Sequence, residues 1–407
     1  MIVRLSIVFA LSILILNAAD PPKSWIDPQT GHRVVRLTSE PNSASLYFNQ
    51  NGYTADGKEM VYTTPEGISA LNLASGEAHS VVKGRARIVV TGHKTQNVYY
   101  IQDNSLRATD VDTLKTRTLG KLPPRAGIAT INADETLAAG TYIEGEGAEA
   151  NAQPADGQQV QRLVQAPNKG QMMEQRLAAR LPMAMFTMDT RTGEVKVIHR
   201  ATDWLNHLEF SPTDPTLLMF CHEGPWHKVD RIWTIRTDGT RISQIHTRTM
   251  AGEIFGHEFW APDGKTIWYD LQTPRGEDFW LAGRNVETGE RTQYHLQRDE
   301  WSIHFNVTAD GKLFCGDGGD PGQVAKAKDG RWIYLFRPQP IVFQGELNQK
   351  DFIQPGVFRS ERLVDMSKHN YKLEPNVSFT PDNRWVVFRS NMFGDTYAFA
   401  VEVDKAK

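Results

Sequence analysis

A tight turn leads directly into an apolar strand at Ala261-Pro262-Asp263-Gly264-Lys265-Thr266-Ile267-Trp268-Tyr269. Asp-Gly is a strong turn signal because glycine accepts a positive φ, and the aromatic and β-branched residues that follow favour a strand. The same pattern recurs at residues 54–62, 132–137, 211–215, 308–314 and 380–388, with a degenerate copy at 92–100. The copies lie about 40–50 residues apart except where insertions intervene, and this period is typical of repeated supersecondary units.

A second turn follows most of these copies and joins two further strands. These turns lie at residues 74–77, 190–194, 237–240 and 287–290, each between two short alternating runs. Such runs indicate β-hairpins, so each repeat predicts one four-stranded sheet. The seven copies predict an all-β, seven-bladed β-propeller that forms a single domain over residues 20–407. We expect residues 32–38 to supply the outer strand of the last blade and close the ring.

One segment interrupts the repeat. Residues 144–182 are rich in Gly, Ala and Gln, and the pattern becomes helical from Gln171 to Arg180. The segment is either a loop with a short surface helix or an arm over the mouth of the central channel, where it would help to hold a substrate.

The N-terminus has the pattern of a secretory signal peptide at residues 1–19. Arg4 supplies a positive charge, residues 5–16 are almost wholly apolar, and Asn17-Ala18-Ala19 offers small residues for cleavage. This apolar run is too short for a membrane-spanning helix, and no later run is long enough. We therefore expect a protein that is exported to the periplasm or secreted and has no membrane span.

Composition and cysteine content restrict the class of protein. The net charge is −3 and the charged residues are interspersed, which argues against a nucleic-acid-binding surface. The two cysteines, Cys221 and Cys315, could form a disulfide in an oxidising compartment. Their strand-like surroundings favour two buried free thiols instead. The sequence assigns no oligomeric state.

Polar side chains concentrate in three short clusters among aromatic residues. The clusters are Cys221-His222-Glu223-Gly224-Pro225-Trp226, Val229-Asp230-Arg231-Ile232-Trp233 and Gly256-His257-Glu258-Phe259-Trp260. Charged residues inside strand-forming segments usually line a polar cavity, because a dry core would leave them without hydrogen bonds. The clusters therefore predict a functional site.

In order and spacing, these clusters resemble those of the oligogalacturonate lyases (polysaccharide lyase family 22). The resemblance extends from Tyr47-Phe48-Asn49-Gln50-Asn51 to Phe379-Thr380-Pro381-Asp382 and is densest between residues 220 and 317. It implies a seven-bladed propeller that cleaves short uronate oligomers by β-elimination. It also implies an Arg that neutralises the substrate carboxylate, a His that removes a proton, and a metal, typically manganese, held by three His and a Gln.

By motif, the resemblance assigns the carboxylate-binding role to Arg231, the base to His257 and the first metal ligand to His304. A guanidinium can grip a carboxylate with two hydrogen bonds. A neutral imidazole, with an ordinary pKa of ~6.5, is a competent base. We expect Arg231 and any bound metal to favour the neutral form of His257 by like-charge repulsion. The alternative for His257 is a structural residue bonded to Glu258 or to the backbone.

The chain departs from the family in the last blade. Where the family pattern has Gln followed by His-x-His, this sequence has Tyr371, Glu374 and Asn376. Glu374 and Asn376 are expected on one face of a strand, with Tyr371 on the other. With His304 they offer one nitrogen and two oxygens, a set that suits Mn²⁺, Ca²⁺ or Mg²⁺. The alternative is a hydrogen-bonded cluster without an ion.

Three further residues are predicted to line the site and contact substrate: His222, Glu223 and His207. The alternative for each is a supporting role, in which it forms hydrogen bonds to the residues that contact substrate.

The sequence leaves three functions open. The first is a lyase for short unsaturated galacturonate oligomers from pectin, and the second is a lyase for another uronate-containing glycan. The third is a non-catalytic propeller that binds a glycan or a partner, while the lack of a Gly-x-Ser-x-Gly motif argues against a serine hydrolase.

Overall fold

The computed structural model describes residues 20–145, 168–343 and 352–406. The predicted signal peptide at residues 1–19 lies outside these ranges, as does most of the predicted insertion at residues 144–182. Within the described ranges the chain forms twenty-eight strands and one helix, so it is an all-β protein.

Short β-sheets follow one another along the chain. The first strands, β1 (Ser24–Ile26) and β2 (His32–Arg36), belong to the last sheet. The first complete sheet consists of β3 (Glu59–Thr64), β4 (Gly67–Asn72) and β5 (Ala78–Lys83). The second consists of β6 (Arg87–Thr91), β7 (Asn97–Gln102), β8 (Ser105–Asp110) and β9 (Thr116–Lys121).

The third and fourth sheets are also four-stranded antiparallel meanders. The third consists of β10 (Gly127–Ile131), β11 (Leu137–Ile143), β12 (Met183–Asp189) and β13 (Val195–Ala201). The fourth consists of β14 (Trp204–Phe210), β15 (Leu217–Glu223), β16 (Ile232–Arg236) and β17 (Ser243–Gln244).

An eight-stranded sheet comes next, and it is two four-stranded units joined edge to edge. The first unit is β18 (Ile254–Trp260), β19 (Thr266–Gln272), β20 (Phe279–Asn285) and β21 (Arg291–Leu296). The second is β22 (Phe305–Val307), β23 (Phe314–Gly316), β24 (Trp332–Pro340) and β25 (Ile353–Asp365). The units join because the start of β25 pairs in parallel with β21, from Arg291 opposite Ile353 to His295 opposite Val357.

The last sheet brings together the two ends of the described chain. It contains β26 (Ser378–Phe379), β27 (Trp385–Phe393) and β28 (Asp395–Lys405) in the order β1-β2-β28-β27-β26. Strand β2 pairs antiparallel with β28, with Val34 opposite Val401. This pairing confirms that residues from 32 to 38 supply an outer strand to the last sheet.

The repeated turn has one backbone requirement in common. The residue after the aspartate has a positive φ, 70° at Gly264 and 67° at Gly311, which glycine adopts without steric cost. In the copies without glycine the position is taken by Asn383 (58°) and Glu135 (62°). The aspartate itself closes the turn, since Asp310 Oδ1 accepts hydrogen bonds from its neighbours' backbone and hydroxyl groups at 3.1 and 2.7 Å.

The hydrophobic core lies between neighbouring sheets. Leu106 of the second sheet packs in one cluster with Phe186 of the third, and Met185 of the third packs with Phe220 of the fourth. The first strands of neighbouring sheets also contact one another, as in β6 with β10, β10 with β14 and β22 with β26. The first strand of each sheet therefore faces a common centre.

A short segment, residues 47–51, crosses this centre and is called the central segment below. Its backbone and side chains form hydrogen bonds with three other sheets and with the loop before β26, through Asn306, Glu209, Val89 and Asn376. Because the contacts come from sheets that are far apart in sequence, the central segment fixes their inner edges relative to one another.

The single described helix, α1 (Lys169–Ala179), interrupts the third sheet between β11 and β12. It starts at Asn168, whose side chain accepts a hydrogen bond from the Gln171 backbone nitrogen at 3.0 Å, and it ends at Arg180 in the left-handed conformation. The helical pattern predicted within residues 171–180 is thus confirmed. No helix in the described ranges is long and apolar enough to cross a membrane.

Candidate functional site

Two histidines of the inner strands have an unusual backbone conformation. His207 in β14 and His257 in β18 have φ values of 48° and 46°, in the left-handed region that non-glycine residues seldom adopt in a strand. Both lie at β-bulges, where the pairing register shifts between Asn206 and Glu209 and between Gly256 and Phe259. Bulges re-aim side chains, and such strain often marks a functional position.

Arg231 lies at the middle of a buried charge cluster. Its Nη1 donates to Glu223 Oε1 at 2.6 Å, and its Nη2 lies 3.6 Å from Glu258 Oε2. The guanidinium stacks 4.5 Å from the ring centre of Trp226, and the side chain is only 2 % exposed. His207 Nε2 approaches the other oxygen of Glu223 at 2.7 Å.

The charges of this cluster stabilise one another. Burial alone would raise the pKa of Glu223, but Arg231 and His207 hold it far below its usual range. Two buried carboxylates thus face one guanidinium, whose Nε has no hydrogen-bond partner in the described part of the chain. Arg231 is therefore held in the wall of the site and could take a substrate carboxylate only by exchanging it for one of its present partners.

The loop that carries Trp226 and Arg231 is fastened from two sides. Arg248 Nη2 donates to the backbone oxygens of Trp226 and Val229, each at 2.8 Å. From the other side Glu174 of α1 accepts from Lys228 Nζ at 2.8 Å. The loop is thus positioned by β17–β18 and by the helix together.

His257 lies against Trp226 and a buried aspartate. Its ring centre is 5.0 Å from that of Trp226, and its Nδ1 is 3.5 Å from Asp270 Oδ1 on the neighbouring strand. The preceding Gly256 makes room for the indole, because a Cβ there would lie 2.6 Å from the ring. The expected alternative, a bond to Glu258, is wrong, since Glu258 faces Arg231 instead.

The protonation preference of His257 differs from the sequence-based expectation. Burial alone would lower its pKa, but the carboxylates of Asp270 and Glu374 outweigh burial and raise it. Repulsion by Arg231 does not prevail, because two buried carboxylates already neutralise that guanidinium. In the absence of a metal, the charges around His257 thus favour its protonated form, in contrast to the expectation, with Asp270 Oδ1 facing the imidazole across 3.5 Å.

His304 is fixed by a fully buried aspartate. Asp317 Oδ2 lies 2.7 Å from His304 Nδ1 and also accepts from the Asn376 backbone nitrogen at 3.1 Å. Its Oδ1 accepts from the backbone nitrogens of Ile303 at 3.1 Å and His304 at 2.8 Å. A carboxylate on Nδ1 places the ring proton there, so the lone pair of Nε2 points away from it.

The Nε2 side of His304 faces three groups of the centre. The Tyr47 hydroxyl lies 3.2 Å from Nε2 and Glu374 Oε2 lies 3.8 Å from it. Burial, followed by the negative charge of Glu374, raises the pKa of Tyr47 well above its ordinary value, so the phenol remains a hydrogen-bond donor. The ring of His257 is 4.8 Å away, centre to centre. His257, His304 and Glu374 are thus brought into one cluster.

Asn376 converges on this cluster but does not offer its side chain to it. The segment from Glu374 to Val377 is a loop and not the predicted strand, and Asn376 has a φ of 56°. Its Nδ2 donates to the Glu374 backbone oxygen at 3.0 Å and its Oδ1 accepts from the Phe48 nitrogen at 3.3 Å. Both ends of the amide are therefore occupied, and Asn376 supports the loop.

A divalent ion would find two ligands here. His304 Nε2 and Glu374 Oε2 are 3.8 Å apart, a separation that an ion with ligand bonds of about 2.1 Å can bridge. Across the described ranges, no group of three or more His, Cys, Asp or Glu side chains is arranged to hold a metal. The residues fit an ion held by two side chains, with water or substrate in the other positions.

Two other predicted positions fall elsewhere. His222 and Glu223 are consecutive residues of β15, so their side chains lie on opposite faces of the sheet. His222 shares a face with Phe220 and packs edge-on against Trp233. Its Nδ1 is 3.2 Å from Asp203, and it does not join the Arg231 cluster. Tyr371, expected to face away, donates from its hydroxyl to the Asp317 backbone oxygen at 3.2 Å.

Sequence reasoning missed three residues that shape the site: Trp226, Asp270 and Asp317. The two aspartates carried a signal, since an aspartate within an apolar strand or between glycines is costly to bury without a partner. The two cysteines are both free and buried, as expected.

The comparisons with known proteins agree with one another. A family model described as oligogalacturonate lyase matches residues 22–406. The oligogalacturonide lyase of Pectobacterium atrosepticum is 26% identical over 396 residues, covering 93% of this chain and 95% of that protein. The oligogalacturonate lyase of Dickeya dadantii is 24% identical over 391 residues, with the same coverage.

Solved structures show the same fold. An oligogalacturonate lyase in complex with manganese superposes with a TM-score of 0.74 at 24% identity, covering 94% of this chain and 96% of that one. The oligogalacturonate lyase of Vibrio parahaemolyticus gives a TM-score of 0.72 at 24% identity, with the same coverage. The fold shared with these proteins is a β-propeller.

Proposed function

Because the chain belongs to the oligogalacturonate lyase family, we propose that it cleaves short, unsaturated oligogalacturonides from pectin by β-elimination. The observation that carries the proposal is that the family match spans residues 22–406 and thereby every residue of the cluster around His257 and His304. The curated relatives carry the same activity in their names.

The proposed fold has seven blades. The eight-stranded sheet counts as two blades, because each half is a complete antiparallel meander and only the β21–β25 pairing joins them. The other five sheets then supply one blade each, and residues 20–407 form a single domain. The pattern of residues 1–19 supports export to the periplasm or secretion.

In the proposed reaction His257 is the base. It removes the C5 proton of a uronate, the electrons of that C–H bond form a C4–C5 double bond, and the bond from C4 to the leaving oxygen breaks. Asp270 holds the imidazole at Nδ1, as an orienting carboxylate does in other acid–base pairs. The raised pKa of His257 makes its neutral imidazole a stronger proton acceptor than an ordinary histidine, and it also means that a higher pH is needed to keep the imidazole neutral.

The intermediate carries extra negative charge, so the site must supply fixed positive charge close to the carboxylate. A divalent ion held by His304 and Glu374 would provide such charge when bound, and manganese is the metal named in one structural relative. Arg231 supplies little net positive charge, because two carboxylates, Glu223 and Glu258, face its single charge. His207 supports Glu223, and we propose that these groups shape the site more than they contact the sugar.

A second candidate, a lyase for another uronate-containing glycan, is favoured by one observation. Glu374 and Asn376 stand where the resemblance implies metal-binding histidines, and Glu374 adds a negative charge 39 % exposed to solvent. A carboxylate at this position would select a different sugar or a different ion.

Absorbance of the unsaturated product on a panel of uronate oligomers, with and without chelator, tests the proposal. We expect product from galacturonate oligomers, and lower turnover after chelation that added Mn²⁺ restores. Product from a different uronate only would favour the second candidate, and binding without product from any oligomer would support the non-catalytic alternative.

A further inference from the structure

Arg389 lies beside the cluster and takes no part in the roles described so far. It belongs to β27, the second strand of the last sheet, and its backbone nitrogen donates to the Pro375 oxygen at 2.9 Å. Its Nε donates to the Glu374 backbone oxygen at 2.8 Å. Both bonds fasten the side chain along the loop that carries Glu374 and Asn376.

The outer end of Arg389 is unpaired. In the described ranges its two terminal nitrogens form neither a hydrogen bond nor an ion pair, whereas Arg231 contacts two carboxylates. The side chain is half-buried. Burial lowers its pKa while Glu374 and Asp317 oppose this shift, and a guanidinium keeps its charge at neutral pH in any case.

The guanidinium of Arg389 is half-buried, so it has lost part of its hydration, and its terminal nitrogens have gained no ion pair in the described ranges. An anion bound to these nitrogens would replace the lost hydrogen bonds to water. The surroundings restrict what that anion can be. Glu374, the neighbour of Arg389, is partly exposed to solvent and lies near His304, and the His304 ring contacts that of His257. These contacts connect Arg389 to the base in three steps, through Glu374 and His304, so one molecule can place an anionic group on Arg389 and also reach His257.

We propose that the terminal nitrogens of Arg389 bind the carboxylate of the uronate that undergoes elimination. The inference rests on the proposed function and names its carboxylate-binding residue. The two residues have separate roles. Arg389 binds the C6 carboxylate through two parallel hydrogen bonds, and His257 removes the proton from the adjacent C5. The planar fork matches a carboxylate in geometry, which an ammonium or a lone metal ligand cannot reproduce.

The assignment also accounts for two departures from expectation. Arg231 already faces two buried carboxylates, Glu223 and Glu258, so with Arg389 as the carboxylate-binding residue it need not exchange either of them when substrate binds. The chain likewise keeps a positive charge at the last sheet although Glu374 and Asn376 replace metal-binding histidines there.

Calorimetric binding of two ligands separates this role from a structural one. The ligands are digalacturonate and the corresponding neutral galactose disaccharide, and the variants are Arg389→Gln and Arg389→Lys. We expect Arg389→Gln to bind digalacturonate about tenfold or more weakly and to bind the neutral disaccharide like the parent. Arg389→Lys should recover part of the affinity, since the charge remains and the fork is lost.

Arg384→Gln is the matched control. Arg384 lies in the turn before the same strand and is exposed, and its one ion pair within the described ranges is with Glu402 at 3.6 Å, so its variant should bind both ligands like the parent. The inference is overturned if Arg389→Gln binds digalacturonate like the parent, or if it loses affinity for both ligands equally. The second result would show a role in holding the loop only.

Turnover of the parent protein distinguishes failure of this inference from failure of the proposed function. A parent that binds digalacturonate through Arg389 but forms no unsaturated product would refute the lyase and leave the carboxylate site in place. A parent that forms product, with an Arg389→Gln variant that binds and turns over equally well, would refute the site and leave the lyase in place.

Discussion

Replacing Asp317 with asparagine should damage both the stability of the protein and the orientation of His304. The carboxylate accepts four hydrogen bonds while fully buried, two at each oxygen. An asparagine keeps one acceptor oxygen and turns an NH₂ group toward the other two donors. Whichever way the amide is placed, two of the four donors then face a donor.

The magnitude follows from these contacts. A hydrogen bond to a charged group contributes about 1.5–3 kcal/mol, so losing two would cost about 3–6 kcal/mol. If the amide nitrogen faces His304, the imidazole can move its proton to Nε2 and accept at Nδ1, which restores one bond. We therefore expect Asp317→Asn to lower the free energy of unfolding by about 3 kcal/mol, less than the total stability of about 5–15 kcal/mol of most domains.

The same proton shift should abolish activity in a protein that remains folded. With the proton on Nε2, His304 no longer presents a lone pair to Tyr47 or Glu374, so any metal ligation at that atom is lost. Urea unfolding followed by tryptophan fluorescence would measure the stability, and the unsaturated-product assay would measure the activity.

Asp310→Asn is the matched control because it makes the same chemical change in the turn between β22 and β23. Asp310 is half exposed, and asparagine closes such turns well, so its unfolding free energy should change by less than about 0.5 kcal/mol. If Asp317→Asn unfolds like this control and keeps parental turnover, the assigned role of the Asp317 hydrogen bonds is wrong.

The other predictions concern single side chains. His257→Ala should lower turnover in the unsaturated-product assay by about two orders of magnitude with substrate affinity largely kept, because a positioned base contributes ~10²–10⁴ in rate. Turnover within a few-fold of the parent would exclude His257 as the base. Arg231→Lys should lose most activity in the same assay, since an ammonium cannot serve both buried carboxylates in the present geometry; near-normal turnover would show that charge alone suffices. Glu253 should make stability depend on pH. Burial alone would raise its pKa, but hydrogen bonds, the largest of them with His246, outweigh burial and lower the pKa to about 2. The folded state thus binds fewer protons than the unfolded one, so stability should fall by up to about 3 kcal/mol as pH drops from about 4.5 to about 2. Chemical unfolding across that range should show a loss that is smaller by about this amount in Glu253→Gln than in the parent, because the other carboxylates with lowered pKa values, such as Glu223, titrate in both proteins. Arg176→Met should raise the unfolding free energy by about 1–2 kcal/mol, because among the described residues the only hydrogen-bond partner of this buried guanidinium is a sulfur atom; a lower melting temperature would contradict this.

The repeat made much of the fold predictable. Each turn copy imposes the same local conformation, so its strands could be placed without knowledge of the rest of the chain. The pairing of β2 with β28 was also predictable, because an unpaired alternating strand remained at the start. The parallel contact of β21 with β25 was not, since it depends on a long β25 that extends past its own sheet.

The site was less predictable, because its geometry depends on departures from regular strands. The bulge in β18 shifts the register after Gly256, and this shift places His257 beside Asp270. Asn376 was assigned to a strand by spacing alone, but its positive φ and its bonds to backbone groups turn the amide away. Alternation along β15 could have separated His222 from Glu223, which the shared motif led us to treat together.

The central segment has a consequence for the order in which the protein becomes active. It is translated before the residues that it binds, since two of its hydrogen bonds go to Asn306 and Asn376. Strand β2 is likewise translated before β28, the strand with which it pairs. A nascent chain that stops short of these strands would contain His257 and Arg231 but no completed cluster. Activity should therefore appear only once β28 has been translated, and truncation of β28 should remove it even though no catalytic group is deleted.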